Sequence, residues 1–440
     1  MEFIGKLLAK GESGYEEARR EALWNAFTPE RYPEIIVQAV AEEDCVAAVR
    51  LARRQGLKLS VRSGGHSWAG NHLRDGTLLL DLSRMREVKV DGLNMRATAQ
   101  PGCPGNELDL ELEKLGLFFP VGHCPGVAIG GYLLQGGFGW NGRVHGPACQ
   151  SVVAIDLVTP EGELITVSEE NEPDLFWAAR GSGPGFFSVV TRYHLRLYPR
   201  PPVIANGIAT YPLGALEEVF TWAREIGPRV PRWMELMVFT HLDQGEPEVV
   251  VTAPVLAPSE SLAREALGLL ETCPAIDRAK ISMPYFPARL EDLYAGVHAS
   301  YPDGHRYAVD NMWTHAPVAD LLPGIRRIAE TLPEAPSHML WMNWGASPVR
   351  EEMAYSVEDE TYIALYAVWQ DPANDQANIE WATGNMKAME PLASGIQLAD
   401  ENLGRRPARF VTEANLQRLD EVRAARDPDA LFHEWMGRPD

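Results

Sequence analysis

The sequence predicts an α+β protein built from two unlike halves. Up to about residue 200, short apolar strands alternate with helical stretches and glycine-rich loops. From about 203 to 400 the strands lengthen and alternate in polarity, with amphipathic helices between them, as in an antiparallel sheet backed by helices. Between the halves lies "YPRPP" at 198–202, a proline-rich seam. A length of 440 residues suits two domains of roughly 100–200 residues each with some elaboration.

In chain order, "EIIVQAV" (34–40) reads as a strand. A helix opens at the acidic "AEEDC", runs on Val46, Val49 and Leu51, and stops at Gly56. "KLSVRSG" and "GTLLLDLS" are two more strands, and "GNELDLELEKLG" is a helix closed by Gly116. "SVVAIDLVTPEGELITVS" folds into a hairpin turning at Pro160–Gly162. In the second half the strands are "ELMVFTHL", "PEVVVTAPVL", "SHMLWMNWGA" and "TYIALYAVW", with helices at 214–226, 258–271, 317–331 and 374–391. A last helix in "NLQRLDEVRAARDPDALF" stops at Asp427–Pro428. Stretches 240–260 and 290–315 are expected to carry variable loops.

Composition narrows the function. With 61 acidic and 40 basic residues the formal charge is −21, which argues against a nucleic-acid partner. The apolar runs are strand-sized, well short of the roughly 20 residues that span a bilayer, so no membrane partner is expected. The N-terminus lacks a signal-peptide pattern, no Asn-x-Ser/Thr sequon occurs, and the five cysteines form no framework. A cytoplasmic location is the expectation. Oligomeric state is not legible.

Two glycine-rich loops, "SVRSGGHSWAGN" (60–71) and "GHCPGVAIGGYLLQGGFGWNGR" (122–143), suggest two walls of one large-ligand site, because glycine lets backbone amides approach an anion closely. Within the second, Gly137-Phe-Gly139-Trp-Asn-Gly142 matches a dinucleotide-binding string, yet Gly146 and Pro147 argue against the helix that motif requires. The histidines and cysteines show no metal-ligand spacing, so no metal is expected. "RGSGPG" (180–185) lacks the spacing of a nucleophile elbow. On composition alone, His66 could be an anchor or ordinary loop filling.

Four motifs in order, "SVRSGGHSWAG", "DGTLLLDLSRM", "CPGVAIGGYLLQGGFG" and "DLFWAARGSGPGFFSVVTRYHLRLYP", resemble the berberine-bridge-enzyme-like FAD-linked oxidases. These belong to the vanillyl-alcohol oxidase/p-cresol methylhydroxylase (PCMH-type) superfamily. The likeness covers residues 30–200, and "DPDALFHEWMGRP" resembles the family's returning C-terminal segment. It implies a PCMH-type FAD-binding domain of two α/β subdomains at 1–202, a substrate domain at 203–403 and a return segment at 404–440. It further implies FAD held bicovalently, through the ring of His66 to the 8α carbon and through Cys124 to C6. Arg62, Ser63, Gly64, Gly65, His66 and Ser67 would wrap the pyrophosphate with backbone amides. Gly130, Gly131, Gly136 and Gly137 would pass under ring and phosphates, with Val190 near the adenine or ribose. Val127 stands where the family gates oxygen, and a valine there resembles the oxidases.

The chain also departs from the family. Tyr132 replaces a histidine common in relatives, and Gly395 and Gln397 stand where a Y-x-N motif supplies the base, although Asp400 is retained. A replacement base is expected from the substrate sheet: Tyr362, with Tyr366 on the same strand face, and Asn343, Glu235 or His241 nearby. One or two of Trp233, Trp313, Trp341, Trp344 and Trp369 would line the pocket. The expected activity is hydride abstraction from a C–H next to oxygen or nitrogen of a small organic molecule (an alcohol, sugar, alkaloid or polyketide-like compound), with O2 reduced to H2O2. The alternatives are a dehydrogenase with another acceptor, or a flavin-binding protein that has lost its base.

Overall fold

The computed structural model describes residues 3–347 and 351–438. The chain forms two compact units. The first comprises Met1–Arg200, Arg350–Ser356 and Val411–Arg438; the second comprises Pro201–Val349 and Val357–Phe410. The sequence reading drew its lines at 202 and 403, and nothing in the sequence marked 350–356 as a separate piece of the first unit.

The first unit holds two α/β layers. One is a four-stranded sheet of β1 (Lys6–Ala9), β2 (Ile35–Gln38), β3 (Lys58–Arg62) and β4 (Thr77–Asp81), ordered β1-β2-β4-β3. After β1 comes α1 (Tyr15–Glu21), and β2 crosses to β3 through α2 (Glu42–Gln55). That helix ends at Gly56 in the left-handed region (φ 64°), which glycine enters without a Cβ clash. β2, β3 and β4 run parallel, and β2 and β4 are buried throughout, as their unbroken apolar runs require.

The other layer is antiparallel. It takes β5 (Val88–Asp91), β6 (Arg96–Ala99), β8 (Val152–Val158), β9 (Leu164–Val167) and β10 (Val189–Arg196) in the order β5-β6-β10-β8-β9. The short β7 (Leu117–Phe118) pairs with β11 (Tyr198–Pro199). The helices here are α3 (Gly105–Glu113), α4 (Ile129–Leu134), the single turn α5 (Gly142–His145) and α6 (Pro173–Ala179). The C-terminal α12 (Glu413–Arg426) follows the second unit, and the tail then returns to β3, where the Leu59 amide donates to the Leu431 carbonyl at 2.8 Å.

The second unit is one antiparallel sheet of eight strands: β12 (Val203–Pro212), β13 (Met237–Asp243), β14 (Glu246–Thr252), β15 (Val255–Ala257), β16 (Ile281–Pro287), β17 (Arg306–Thr314), β18 (His338–Asn343) and β19 (Thr361–Trp369). The order is β15-β12-β14-β13-β18-β19-β17, with β16 on the outer side of β12. Its helices are α7 (Leu216–Ile226), α8 (Glu260–Leu267), α9 (Leu290–Ser300), α10 (Val318–Glu330) and α11 (Asp375–Met389). The predicted strand "PEVVVTAPVL" divides into β14 and β15, and stretch 290–315, expected to carry a variable loop, holds α9 and β17.

The two faces of this sheet differ. Val238, Thr240, Val249 and Val251 are fully buried on the helix-backed face, where Phe220 of α7 meets Trp341 at 5.5 Å. On the opposite face their strand neighbours Phe239, His241, Val250 and Thr252 are half-exposed. Alternation of period two thus sorts the side chains of β13 and β14, whereas β18 and β19 are buried on both faces. Among the described residues, no helix is long and apolar enough to cross a membrane.

Candidate functional site

The first glycine loop leaves the end of β3. The Arg62 guanidinium is spent on bracing it, donating to Asp81 at 2.7 Å and to the Ala22 carbonyl at 3.0 Å. Gly65 (φ 77°) faces that same carbonyl, and a Cβ there would lie 2.4 Å from it. The Gly65 carbonyl accepts from the Trp24 amide, and the Trp24 ring stacks on His66 at 5.1 Å. Arg31 holds the far side through the carbonyls of Ala69 (2.6 Å), Gly70 (3.1 Å) and Leu73 (3.0 Å). The supporting segment 22–31 went unnoticed in the sequence. Ser67 accepts from Asn71 through its hydroxyl oxygen.

The second loop meets the first directly. A Cβ on Gly64 would strike Ala128 (2.8 Å), one on Gly130 would strike the Ser63 hydroxyl (2.2 Å), and one on Gly126 would lie 3.5 Å from the His66 ring. The two loops thus touch at Gly64–Ala128 and Gly130–Ser63, with Gly126 facing the His66 ring. Gly136 and Gly137 have φ of 99° and 84°, which side chains rarely adopt, whereas Gly131 faces open space. The dinucleotide string is preceded by α4 rather than a strand. One turn of helix does follow it, contrary to expectation, but that turn dies at Gly146. Val190 lies buried in β10 opposite Leu157.

Of the five cysteines only Cys124 is partly exposed. Burial pushes the Cys103 thiol up to about 12 and the Cys45 and Cys273 thiols above their ordinary value, so these stay protonated and inert. Val127, three residues past Cys124, is half-exposed.

In the second unit, Tyr362 and Tyr366 share a face of β19, and both hydroxyls donate to Oδ2 of Asp400, Tyr366 at 2.8 Å. Burial first, and the Asp400 charge second, raise both phenols well above 10, so each remains protonated at neutral pH. The turn carrying Asp400 hangs on Asn311, whose amide donates to the carbonyls of Gln397 (3.0 Å) and Asp400 (2.8 Å) and accepts from the Gln397 amide (2.7 Å). Beneath it, Arg406 is paired with Asp310 and donates to the Asn311 carbonyl at 2.7 Å. The Tyr366 ring stacks on His338 (4.9 Å) and meets Tyr301 edge-on (5.0 Å). Burial pulls His338 down to about 4, leaving it neutral. With Nδ1–H given to the Pro336 carbonyl, its Nε2 accepts from the Tyr301 hydroxyl.

Asn343 does not join this cluster. It pairs with Thr361 and so points to the opposite, helix-backed face, where its oxygen accepts from Trp341 (2.7 Å) and its amide donates to Ala223 (2.6 Å). It is a packing residue. Trp341 and Trp369 lie on that face too, while Trp313 lies beside Tyr362 at 5.0 Å.

Residues 33–168 match the FAD binding domain family. The FAD-linked oxidoreductase janO of Penicillium janthinellum is 32% identical over 421 residues, covering 94% of this chain and 93% of its own. The chain belongs to the FAD-linked oxidoreductases. Among solved structures, 6-hydroxy-D-nicotine oxidase of Arthrobacter nicotinovorans superposes with a TM-score of 0.88 at 24% identity, over 100% of this chain and 98% of that one. BBE-like 1 of Physcomitrella patens gives 0.85 at 19%, over 98% and 96%. Both share the fold.

The cofactor loops of this oxidoreductase fit FAD. Among the described residues, the amides of Gly64, Gly65 and Ser67 find no acceptor within the protein, and Gly65 is buried. The buried hydroxyls of Ser182 and Ser188 are likewise without partners. A diphosphate supplies the acceptors such donors lack. The departures from the family pattern also acquire reasons. Tyr132 donates to the Pro120 carbonyl (2.6 Å) while its ring fills the space left by Gly122, Gly137 and Gly139, so it is a post for the second loop. No side chain fits at 395, where a Cβ would lie 2.5 Å from Val357 and 2.6 Å from the Arg409 carbonyl.

Proposed function

We propose that this oxidoreductase is an oxidase that carries FAD on both His66 and Cys124 and takes hydride from a C–H next to oxygen or nitrogen of a small organic substrate. The observation that carries the reading is the meeting of the two glycine loops, which brings the chain next to Cys124 against the His66 ring through Gly126. When bound, FAD supplies the hydride acceptor and the route of electrons to O2, giving H2O2.

The protein's share is proton management and alignment. Neither phenol is a base by itself, because the surroundings of Tyr362 and Tyr366 disfavour the phenolate. Asp400 turns the pair into one. As Tyr362 takes the substrate O–H or N–H proton, its own proton passes to the Asp400 carboxylate already hydrogen-bonded to it. Tyr366, on the same carboxylate oxygen, holds the acceptor in line.

The tether is tested by intact mass after acid precipitation. Wild type is expected to keep one FAD increment, as are His66→Ala and Cys124→Ala singly, and the double variant should lose it. An apoprotein mass for wild type would overturn the assignment. The oxidase reading is tested by anaerobic reduction followed by mixing with air. Rapid reoxidation is expected, and Val127→Leu should slow it without changing the anaerobic step; slow reoxidation of wild type would instead mark a dehydrogenase.

A further inference from the structure

The face of the substrate sheet that carries Tyr362 and Tyr366 continues far beyond them. Register places Leu340 and Met342 of β18 beside these tyrosines, then Met237 and Phe239 of β13, then Val250 of β14 and Ile208 of β12. The row ends at the edge strand β16, where Ile281 and Met283 are 51% and 48% exposed. From β19 to β16 are five strand steps, about 24 Å at the usual spacing.

Polar groups along this row are few, and some are already committed. Glu248 is paired with Lys280, and the Thr252 hydroxyl with Asn206. Of the buried side-chain polar atoms in this row, Oγ1 of Thr210 and Nε2 of His241 lack hydrogen-bond partners among the described residues. Burial holds His241 below its ordinary value, so it presents a neutral ring. A sugar needs a dense set of amides and carboxylates to replace its water, and this row has none to spare.

We infer that this row is the floor of the substrate site and that the substrate is an elongated, mainly hydrocarbon molecule, carrying its reacting alcohol or amine at the end beside Asp400. The assignment rests on the proposed function for its reacting end, and on the sheet register alone for the apolar body. Phe239 and Val250 are half-exposed while Val238 and Val249 on the other face are completely buried, so the row is open in its outer part. Beside the tyrosines it narrows, with Leu340 and Met237 keeping 7% and 8% exposure and Met342 none.

The test is calorimetric titration of the holoenzyme with 1-alkanols from butanol to decanol, and with D-glucose and cellobiose. Affinity is expected to rise about fourfold per added methylene, and the sugars should give no binding. Phe239→Asp and Val250→Asp, both half-exposed positions, should flatten the gradient while the FAD spectrum is retained. Affinity independent of chain length, a gradient unchanged in both variants, or preferential sugar binding would overturn the inference. If alkanols bind with the gradient but no alcohol or amine reduces the bound FAD, the oxidase reading fails and the floor stands.

Discussion

Asp400→Asn is expected to slow anaerobic reduction of the enzyme by about 10²–10⁴-fold, the range that a positioned proton acceptor contributes. Both buried phenols donate to the same carboxylate oxygen, so the substitution removes the one group able to receive a proton from either. An amide oxygen in the place of Oδ2 keeps two lone pairs and can still accept from both hydroxyls. The fold should tolerate the change. The measurement is stopped-flow reduction across pH, alongside cofactor content and Tm. A rate within threefold of wild type would remove Asp400 from the mechanism. A fall matched by loss of bound FAD would make its role structural. Tyr362→Phe should reproduce most of the loss, whereas Tyr366→Phe, which keeps the Tyr362–Asp400 pair, should cost less.

Arg406→Leu should destabilise the second unit by about 3–5 kcal/mol, since it leaves Asp310, with no exposed side-chain surface, as an unpaired buried charge. For a unit of this size that corresponds to a fall in Tm of about 6–20 °C. The pair also supports the turn carrying Asp400, because Arg406 binds the Asn311 carbonyl while Asn311 holds the backbone of Gln397 and Asp400. Reduction should therefore slow even at temperatures where the variant stays folded. Replacing both partners, Asp310→Leu with Arg406→Leu, should recover much of the Tm but not the rate. A double variant as unstable as the single one would contradict this account, as the cost would then not lie in the orphaned carboxylate.

The strongly periodic elements were legible from residue pattern alone. Helices 216–226, 318–330 and 375–389 lie where apolar spacing put them, and β19 matches its quoted stretch residue for residue. β17 was missed because Asp310 and Asn311 break its apolar alternation, and those two residues do so because they hold the Asp400 turn. The polar pair inside an otherwise apolar "RYAVDNMWT" was the available signal. Asn343 was misplaced by reading strand proximity without register: one residue of offset from Met342 sends it to the other face. The segment 351–356 offered no periodicity at all, yet the Tyr355 ring fills the place of a side chain at Gly136, and its backbone does the same at Gly181. Such long-range complementarity leaves no local trace.

The division of the first unit into three chain segments bears on its synthesis. Residues 1–200 emerge from the ribosome long before 411–438, and the Leu59–Leu431 hydrogen bond closes a span of 372 residues. At about 5–20 residues per second, roughly 10–40 s separate the appearance of Arg200 from that of Val411. During that interval β3 waits, with Leu59 lacking its final partner and the aromatic plug Trp435 not yet made to cover Gly185. The nascent first unit therefore lacks these contacts until residues 411–438 arrive, and truncation ahead of α12 should yield an insoluble chain rather than a slightly shortened enzyme.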